Sequence, residues 1–354
     1  MVTIRDVALK SGFSATTVSI VLNNSRSAVG IPASTKRRIK AVARQLCYRP
    51  NPFARMLLSN RSRSIAVMVP DITDPYCSQI LRGIEEGLYK AGYSLVLADI
   101  QNHRDRFKRH LNTLMDRRVE GIIAIANSMY LPTSILGQFE HGKLPTVVIG
   151  RQPDQGSLSS VVIDNERGAH EALRYLMTLG HTRIAFIRGP KQLVDSSERW
   201  NGQCAAAKEF GLRIDPKLVL GLEQPASSYE GGYKTTAALL KSKRRFTAIM
   251  AFDDMTAFGA ISALRDAGLV VPGDCSVIGF DDVASAEFYN PPLTTMRQPM
   301  EDLGAISAEI LLARLQAGTQ TSLRPEHRVV KATLVIRKST AGVASESSAN
   351  GSAA

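Results

Sequence analysis

Carboxylate, guanidinium and phenol side chains occur where several strand-like runs of the sequence end. Asp253 follows the apolar run Ala248–Phe252, and Asp281 follows Ser276–Phe280. A carboxylate accepts two hydroxyl hydrogen bonds at once, while an arginine offers a planar fork of donors. These groups together suit a polyhydroxylated ligand. The candidate ligand-binding residues are Asp71, Tyr76, Asp164, Arg199, Asp253 and Asp281.

Structural roles stay open for some of these acids. Asp71 and Asp74 precede Pro75, where a role in the turn is at least as common as a ligand contact. Asp164 either contacts the ligand or holds only an interface between subdomains. His181 is interpreted as structural. The six histidines are scattered, so we expect neither a metal site nor a bound cofactor.

Composition and motifs argue against several classes of protein. The 354 residues are too many for one ordinary core, and no apolar run is long enough to span a membrane. The first ten residues lack a secretory signal, so we expect a cytoplasmic protein. The sequence contains no GxGxxG, GxxxxGKS/T or GxSxG motif, so we do not expect a nucleotide-dependent enzyme or an α/β-hydrolase. The widely spaced cysteines are expected to be free thiols: Cys47, Cys77, Cys204 and Cys275.

The net charge of +12 is concentrated near the start of the chain. Residues 1–64 hold twelve Lys and Arg and one acid, Asp6, so +11 lies there and +1 on the other 290 residues. A small basic head on a nearly neutral body indicates a polyanionic partner for the head. On charge alone, a solvated basic surface is an equally good interpretation.

The sequence of the basic head predicts three short helices. Thr3 and Asp6 have the spacing of a capping box, and Gly12 is expected to end the first helix. Ser14 is the predicted cap of a second helix, and Ser34 that of a third. The tight turn between the first two helices is typical of a helix-turn-helix.

From Ile65 the pattern changes to strand-like runs that alternate with helical stretches. Alternation of this kind predicts an α/β fold with open parallel sheets. There are too many strands for one compact sheet, so we expect two similar subdomains, with a ligand at the carboxyl ends of their strands. The tail after Lys338 is small and polar, which predicts disorder.

Four segments, in order, resemble the lactose-repressor/galactose-repressor family. TIRDVALKSGFSATTVSIVLN (Thr3–Asn23) looks like its DNA-binding head, and YRPNPFARMLL (Tyr48–Leu58) like its hinge helix. Val161–Pro190 is similar to the start of its second sensor subdomain, and Ala251–Pro299 to its signature near the ligand cleft. The resemblance covers about residues 3–338.

The resemblance implies an all-α helix-turn-helix head followed by a periplasmic-binding-protein-like core of two Rossmann-like subdomains. The expected boundaries are 1–50 for the head, 51–63 for the hinge helix and linker, 64–338 for the core and 339–354 for a disordered tail. Within the core, we expect a first subdomain of about 64–161 plus 292–322 and a second of about 162–291 plus 323–338.

By the same resemblance, Ala15, Thr16 and Ile20 occupy sequence-reading positions on the second helix. Ile20 cannot hydrogen-bond to a base, but it suits a thymine methyl group. Packing within the head is the alternative for Ile20. Contacts to phosphate, which position the head without reading sequence, are expected from Thr3, Thr17, Ser19 and Asn23.

The hinge helix is expected to enter the minor groove of the operator. By the family pattern, Leu57 is the apolar wedge that kinks the DNA, and Asn51 and Arg55 lie along the groove. Leu57 can equally pack one hinge against the other. Because a helix this short is marginal alone, we expect a homodimer on a near-palindromic site.

The function implied is that of a transcriptional repressor whose operator affinity is controlled by a small molecule, a neutral sugar or sugar derivative. Arg199 and Asp281 are expected to hold it between the subdomains. Asp253 stands where the family usually has Asn. Cys77 stands where the family commonly has an aromatic residue that stacks on the ligand, and its absence argues against a purine held between two rings. A secreted sugar receptor and an enzyme on a doubly wound fold are the alternatives, and both lack their expected sequence signals.

We predict that residues 1–63 carry nearly all of the DNA affinity, because they hold the excess positive charge. Affinity should fall steeply with salt, since neutralised phosphates release counterions. Anisotropy titrations of an operator selected from random DNA, at several salt concentrations, measure this dependence. A salt-independent affinity, or undiminished binding by residues 64–354, would contradict the prediction.

Overall fold

Contacts in the computed structural model divide the chain into two compact units, Met1–Arg63 and Ser64–Ala354. The predicted hinge residues Asn51, Arg55 and Leu57 lie outside the part of the chain that the structure describes. The described residues are 2–23, 26–49, 61–101, 103–126, 144–151, 158–223, 228–317 and 324–343.

The first unit is a helix-turn-helix head. Its helices are α1 (Ile4–Ser11), α2 (Ala15–Leu22) and α3 (Ala33–Gln45), with a short 3-10 helix at Arg26–Gly30 before α3. One apolar side of each helix faces the centre of the unit, where a small core forms. The buried members of this core are Val7, Val18, Val21, Ile39 and Ala43.

The predicted start and end signals of the first two helices are confirmed. Thr3 and Asp6 form a capping box, in which Asp6 Oδ2 accepts from the Thr3 backbone N–H at 2.8 Å. Gly12 ends α1 with a φ of 76°, a left-handed conformation that glycine adopts without strain. Ser14 Oγ accepts from the Thr17 N–H at 3.1 Å and so caps α2.

The predicted cap of the third helix is wrong. α3 begins at Ala33, and Pro32 occupies the cap position without any side-chain cap hydrogen bond. Ser34 is therefore already inside the first turn. Proline restricts φ, and Pro32 directs the chain into the helix through its backbone conformation in place of a hydroxyl acceptor.

The second unit contains two six-stranded, mainly parallel sheets with helices between many of their strands, which confirms the predicted α/β class. The first sheet is parallel, in the order β11-β5-β4-β3-β1-β2. Its strands are β1 (Ser64–Val69), β2 (Ser94–Asp99), β3 (Gly121–Ile125), β4 (Thr146–Ile149), β5 (Ser159–Ile163) and β11 (His327–Val330).

The second sheet has the order β12-β10-β9-β8-β6-β7 and is parallel except for its edge strand β12. Its strands are β6 (Ile184–Arg188), β7 (Val219–Gly221), β8 (Ala248–Met250), β9 (Ser276–Asp281), β10 (Thr294–Arg297) and β12 (Thr333–Val335). Apolar side chains of both sheets and their helices are buried in the core of this unit.

Helices alternate with the strands in both halves. Those of the first half are α4 (Pro75–Lys90), α5 (Arg104–Asp116) and α11 (Met300–Ala317). Those of the second half are α6 (Asn165–Thr178), α7 (Val194–Glu209), α8 (Tyr229–Lys241), α9 (Asp254–Asp266) and the short α10 (Ser285–Phe288). Among the described helices, none has the length and apolar character needed to cross a bilayer.

The predicted crossover points between the two halves need correction. β10 lies in the second sheet, although 292–322 was expected in the first subdomain, because Thr294–Arg297 pairs in parallel with β9. β11 lies in the first sheet, although 323–338 was expected in the second, because His327–Val330 pairs with β5. The chain thus crosses after β10 and again after β11. Pairing between strands that are far apart in sequence leaves no local sequence signal.

The predicted disorder of the tail is wrong for its first five residues. Ser339 is 0% exposed, and its hydroxyl accepts from Thr294 N at 2.8 Å and donates to Val277 O at 2.6 Å. Ala341 O bonds to Nε2 of His181 at 3.0 Å, which gives this histidine a structural role. Small polar side chains suit this segment because they fit against the start of β9. Residues 344–354 lie outside the described ranges.

We predict that a chain ending at Lys338 unfolds at a lower temperature than one ending at Val343. In the shorter chain, the Thr294 N–H and the Val277 carbonyl lose their hydrogen bonds to the buried Ser339 hydroxyl. Unpaired buried groups cost about 1–3 kcal/mol, which lowers Tm by roughly 2–10 °C. Thermal unfolding followed by circular dichroism compares the two chains, with Ser339→Ala in the full chain as a milder variant. Equal Tm values would rule out a structural role for the segment.

Candidate functional site

The predicted residues Arg199, Asp253 and Asp281 lie at the carboxyl edge of the second sheet. Asp253 follows β8 and caps α9, where its Oδ1 accepts from the Thr256 N–H at 2.8 Å. Asp281 is the last residue of β9, and Arg199 lies in the second turn of α7. Carboxyl ends of parallel strands meet at one edge, so the fold brings these three side chains together.

A close approach between two helices sets the position of α7. A Cβ atom at Gly202 would lie 2.0 Å from the carbonyl oxygen of Glu166 in α6, far inside van der Waals contact. Glycine therefore lets α7 pack directly on the backbone of α6. This packing brings Arg199, one turn before Gly202, beside Asn165 at the start of α6.

The guanidinium of Arg199 is buried and held on several sides. Its Nε donates to Oδ1 of Asn165 at 2.9 Å, and its Nη1 donates to the Phe252 carbonyl at 2.7 Å. Its Cζ lies 4.7 Å from the ring centroid of Phe252 and 3.8 Å from that of Phe280. Nη2 is 3.7 Å from Oδ1 of Asp281. The fork is thus rigid before any ligand arrives.

Asp281 and Asp282 leave the end of β9 in unusual backbone conformations. Their φ values are 133° and 61°, which residues other than glycine rarely adopt. Asp281 Oδ1 accepts from Gln298 Nε2 at 2.5 Å and faces Arg199, while Asp282 forms ion pairs with Arg297 and Arg337. Burial raises the pKa of Asp281, and the nearby guanidinium opposes the rise.

Groups from the first half of the core come close to those of the second. Asp74 caps α4, accepting from the Tyr76 N–H at 2.9 Å, and burial raises the pKa of Asp74 to about 6. Tyr76 is buried, and burial, together with the negative charges of Asp195 and Asp281, raises the pKa of its phenol. Asp253 is also close enough to Asp74 to raise its pKa further. The two halves therefore meet around one polar cleft.

Asp195 is a candidate that sequence reasoning missed. It lies in the first turn of α7, one turn before Arg199, and is 6% exposed. Its Oδ1 has no hydrogen-bond partner among the residues that the structure describes. Burial raises the pKa of Asp195 to about 7, against the influence of Arg199. The signal that could have found it is the spacing to Arg199, since residues four apart share a helix face.

Two predicted residues have structural contacts of their own. Asp71 Oδ1 accepts from the N–H of Thr73 at 2.8 Å and from its hydroxyl at 2.6 Å, within the turn before α4. Asp164 caps α6, accepting from Arg167 N at 3.1 Å, and its own N–H donates to Val330 O at a crossover between the halves. Asp71 therefore makes the turn contacts, and Asp164 the interface contact, that were named as alternatives to ligand binding. A ligand contact by either one stays a prediction.

The predicted DNA-reading face lies on the first turns of α2. Ala15 and Thr16 are exposed, and Thr17 is half-buried. Val18 fills the core of the head, and Ile20 is half-buried at its margin. A base contact by Ile20 and packing within the head therefore both stay open.

The other predicted DNA contacts have partners inside the head. Ser19 Oγ accepts from the Asn23 Nδ2 at 3.1 Å, and Thr3 is exposed within the capping box. The Asn23 Oδ1 is buried, and no described residue is its hydrogen-bond partner. These contacts orient the side chains, and phosphate binding by them stays a prediction.

A second groove lies at the opposite, amino edge of the second sheet. It has a volume of about 580 Å³. Its cations are exposed to solvent, whereas the polar groups of the cleft are buried and convergent, so the cleft is the better candidate for a small ligand. Within the described ranges, no group of His, Cys, Asp and Glu is arranged to hold a metal ion. The cations lining the groove are Arg183, Arg213, Lys243, Arg244 and Arg245.

Comparisons with known families match both units of the chain. Residues 3–51 match the bacterial regulatory proteins of the lacI family. Residues 173–340 match the periplasmic binding protein-like domain. The first match covers the helix-turn-helix head, and the second covers most of the half that carries Arg199, Asp253 and Asp281.

Full-length relatives are also similar. The HTH-type transcriptional repressor PurR of Pasteurella multocida is 35% identical, over 96% of this chain and 98% of its own length. The ribose operon repressor of Escherichia coli K12 is 34% identical, over 92% of this chain and 96% of its own. The lac repressor dimer bound to operator and the anti-inducer ONPF has a TM-score of 0.84 at 27% identity, covering 96% of this chain and 99% of that one.

The chain is also similar to a solved structure that contains a bound sugar. A LacI family transcriptional regulator from Enterococcus faecium, with bound ribose, has a TM-score of 0.69 and is 32% identical. The match covers 79% of this chain and all of that one.

We predict that Asp195→Asn stabilises the ligand-free protein above neutral pH. Burial raises the pKa of this carboxyl from 3.8 to about 7, so the folded chain binds the proton more tightly than the unfolded chain. Stability must then fall as pH rises between these two values. Thermal unfolding from about pH 5 to about pH 8 should show a smaller loss of Tm in the variant than in the wild type. The exposed Asp116→Asn is the matched control, and an identical pH slope in all three proteins would contradict the prediction.

Proposed function

The chain belongs to the lacI family of bacterial regulatory proteins, and on this premise we propose how its two units divide the work. It is a DNA-binding transcriptional regulator with a small-molecule sensor core, and it is not an enzyme. The head binds operator DNA, and an effector of the sugar class binds between the two halves of the core. Effector binding changes operator affinity and thereby controls repression.

One observation carries the proposal for the effector: the Arg199 fork is rigid and buried beside the carboxylate of Asp281. A fixed donor fork next to an acceptor suits vicinal hydroxyl groups, which donate and accept at once. The rings of Phe252 and Phe280 keep the guanidinium between them, and Tyr76 approaches from the other half of the core. The ribose bound to the Enterococcus faecium relative supports the same ligand class.

For the head, the proposal is that Ala15, Thr16 and Ile20 read base edges. The exposed side chains at the start of α2 support this role, since the first turns of a recognition helix meet the bases. Phosphate contacts come from Thr3, Thr17, Ser19 and Asn23, and hinge contacts from Asn51, Arg55 and Leu57.

Two further properties follow from the family. The relative bound to operator is a dimer, and two heads suit a near-palindromic site, so we infer a homodimer. A regulator that acts on bacterial DNA works in the cytoplasm, and we infer that location.

We predict that Arg199→Ala and Asp281→Asn each weaken effector binding and leave operator binding intact. Losing one buried charge-assisted hydrogen bond costs about 1.5–3 kcal/mol, or roughly tenfold to more than a hundredfold in affinity. Emission of Trp200, which packs on Phe186 and beneath Arg188, is the readout for a panel of sugars and purines, with thermal shift as a second measure.

The exposed Arg244→Ala is the matched control, because it removes the same type of side chain from outside the cleft. Operator affinity is measured by anisotropy on every variant. Normal ligand binding by either cleft variant would contradict the site. If purines bind and sugars do not, the sugar class is wrong while the regulator stands.

A further inference from the structure

Among the described residues that influence one another in the polar cleft, carboxylates outnumber guanidinium groups. Asp74, Asp195, Asp253 and Asp281 all lie close enough to one another or to Tyr76 to influence the pKa of a neighbour. Arg199 is the one guanidinium that influences them from inside the described part of the cleft. If these four acids were all ionised, they and Arg199 would together carry a net charge of about −3.

Asp254 lies near these acids but is not counted with them. Asp254 is fully buried under the cleft, where its Oδ2 accepts from Val283 N at 2.9 Å and its Oδ1 from the Thr295 hydroxyl at 2.5 Å. These bonds join α9 to the segments after β9 and in β10. We therefore interpret Asp254 as a structural residue and leave it out of the ligand site.

Most cleft acids already have a donor within the protein. Asp74 accepts from the Tyr76 N–H, Asp253 from the Thr256 N–H, and Asp281 from Gln298. Asp195 differs at one oxygen: Asn165 lowers the pKa of its carboxyl by a hydrogen bond, but the buried Oδ1 has no donor among the described residues. A buried acceptor without a donor is costly, and a ligand that supplies the donor recovers that cost.

The kind of donor follows from the charge balance. A hydroxyl group would satisfy the Asp195 oxygen but leave the surplus negative charge buried. An ammonium group supplies both the donor and the opposite charge, and buried charges are stable when they are paired in this way. In the ligand-free protein the same surplus is reduced by proton uptake, since burial raises the pKa of Asp195 to about 7 and that of Asp74 to about 6.

We propose that the effector is a polyhydroxylated amine, such as an amino sugar, whose ammonium group binds Asp195 while its hydroxyl groups bind Arg199 and Asp281. The inference rests on the proposed function, because it assumes that the effector enters this cleft. It adds the charge of the ligand and the residue that selects it. No covalent step is involved.

The test uses sugars in three matched forms: the parent sugar, its amine and its N-acetylated amine. Glucose, galactose and mannose, with 2-amino and 2-acetamido counterparts, are titrated into the full-length protein. Isothermal calorimetry and Trp200 emission report binding, and EDTA removes divalent cations. An amine should bind at least roughly tenfold more tightly than its parent sugar and its acetylated form, as expected for one charge-assisted hydrogen bond.

Asp195→Asn separates charge from shape, because it preserves size and removes the negative charge. It should lower affinity for the amine at least roughly tenfold more than it lowers affinity for the parent sugar. Asp116→Asn, which is exposed on α5, is the control and should change neither affinity. An equal loss for all three ligand forms would indicate a merely structural role and would overturn the proposal.

The pH dependence of amine affinity gives a second readout, taken where the protein is folded. Amine affinity of the wild type should rise from about pH 5 to about pH 7, as the carboxyl groups lose their protons. Asp195 is influenced by Arg199 and Glu198 of its own helix, Tyr76 faces it from α4, and Asn165 donates to it from α6. Asp195→Asn should flatten this rise.

The outcomes distinguish the two proposals. If a parent sugar binds as tightly as its amine, the charge inference is overturned and the sugar class stands. If the amine is preferred but Asp195→Asn binds it normally, the assignment to Asp195 is overturned. If the entire panel fails to bind while a purine does, both the sugar class and this inference are overturned.

Discussion

The burial of the Arg199 guanidinium is the constraint on which the rest of the site depends. Taking this charge out of water costs several kcal/mol unless its donors are satisfied and a counter-charge is near. The fold meets that requirement with the Asn165 side chain, the Phe252 carbonyl and the carboxylate of Asp281. Since these partners come from α6, the segment after β8 and the end of β9, the guanidinium connects elements that are far apart in sequence. Its loss would leave the cleft acids without their cation.

The topology of the second sheet explains why these partners meet. β6, β8 and β9 are parallel neighbours, so the residues after each strand emerge at the same edge. Gly202 then allows α7 to approach α6 closely enough for Arg199 to reach Asn165. The strained conformation of Asp281 turns its carboxylate toward the guanidinium, and Asp282, held by two arginines, maintains that turn. Backbone strain at this point is stabilised by the ion pairs around it.

Features set by neighbours in sequence could be predicted, and features set by distant contacts could not. The Thr3–Asp6 capping box and the Ser14 cap follow from spacing, and both are present. Asp281 was a candidate because it ends an apolar run. The burial of Ser339 depends on β9 and β10, which no local pattern reveals. Asp195 was missed for a related reason. An acid in a first helical turn usually indicates a favourable charge at the helix end, and its burial is evident only in the folded structure.

The division of the cleft between two halves determines which contacts can carry a signal. A ligand shifts a conformational equilibrium only through contacts that differ between the states. Arg199 and Asp281 belong to the same half, so a ligand held by these two alone would bind tightly without favouring closure. Tyr76 and Asp74 come from the other half and meet Asp195 and Asp253 when the halves are together. In the proposed site, affinity would therefore come from contacts within the second half, whereas the response of the regulator would depend on the acids and the phenol that face each other across the cleft.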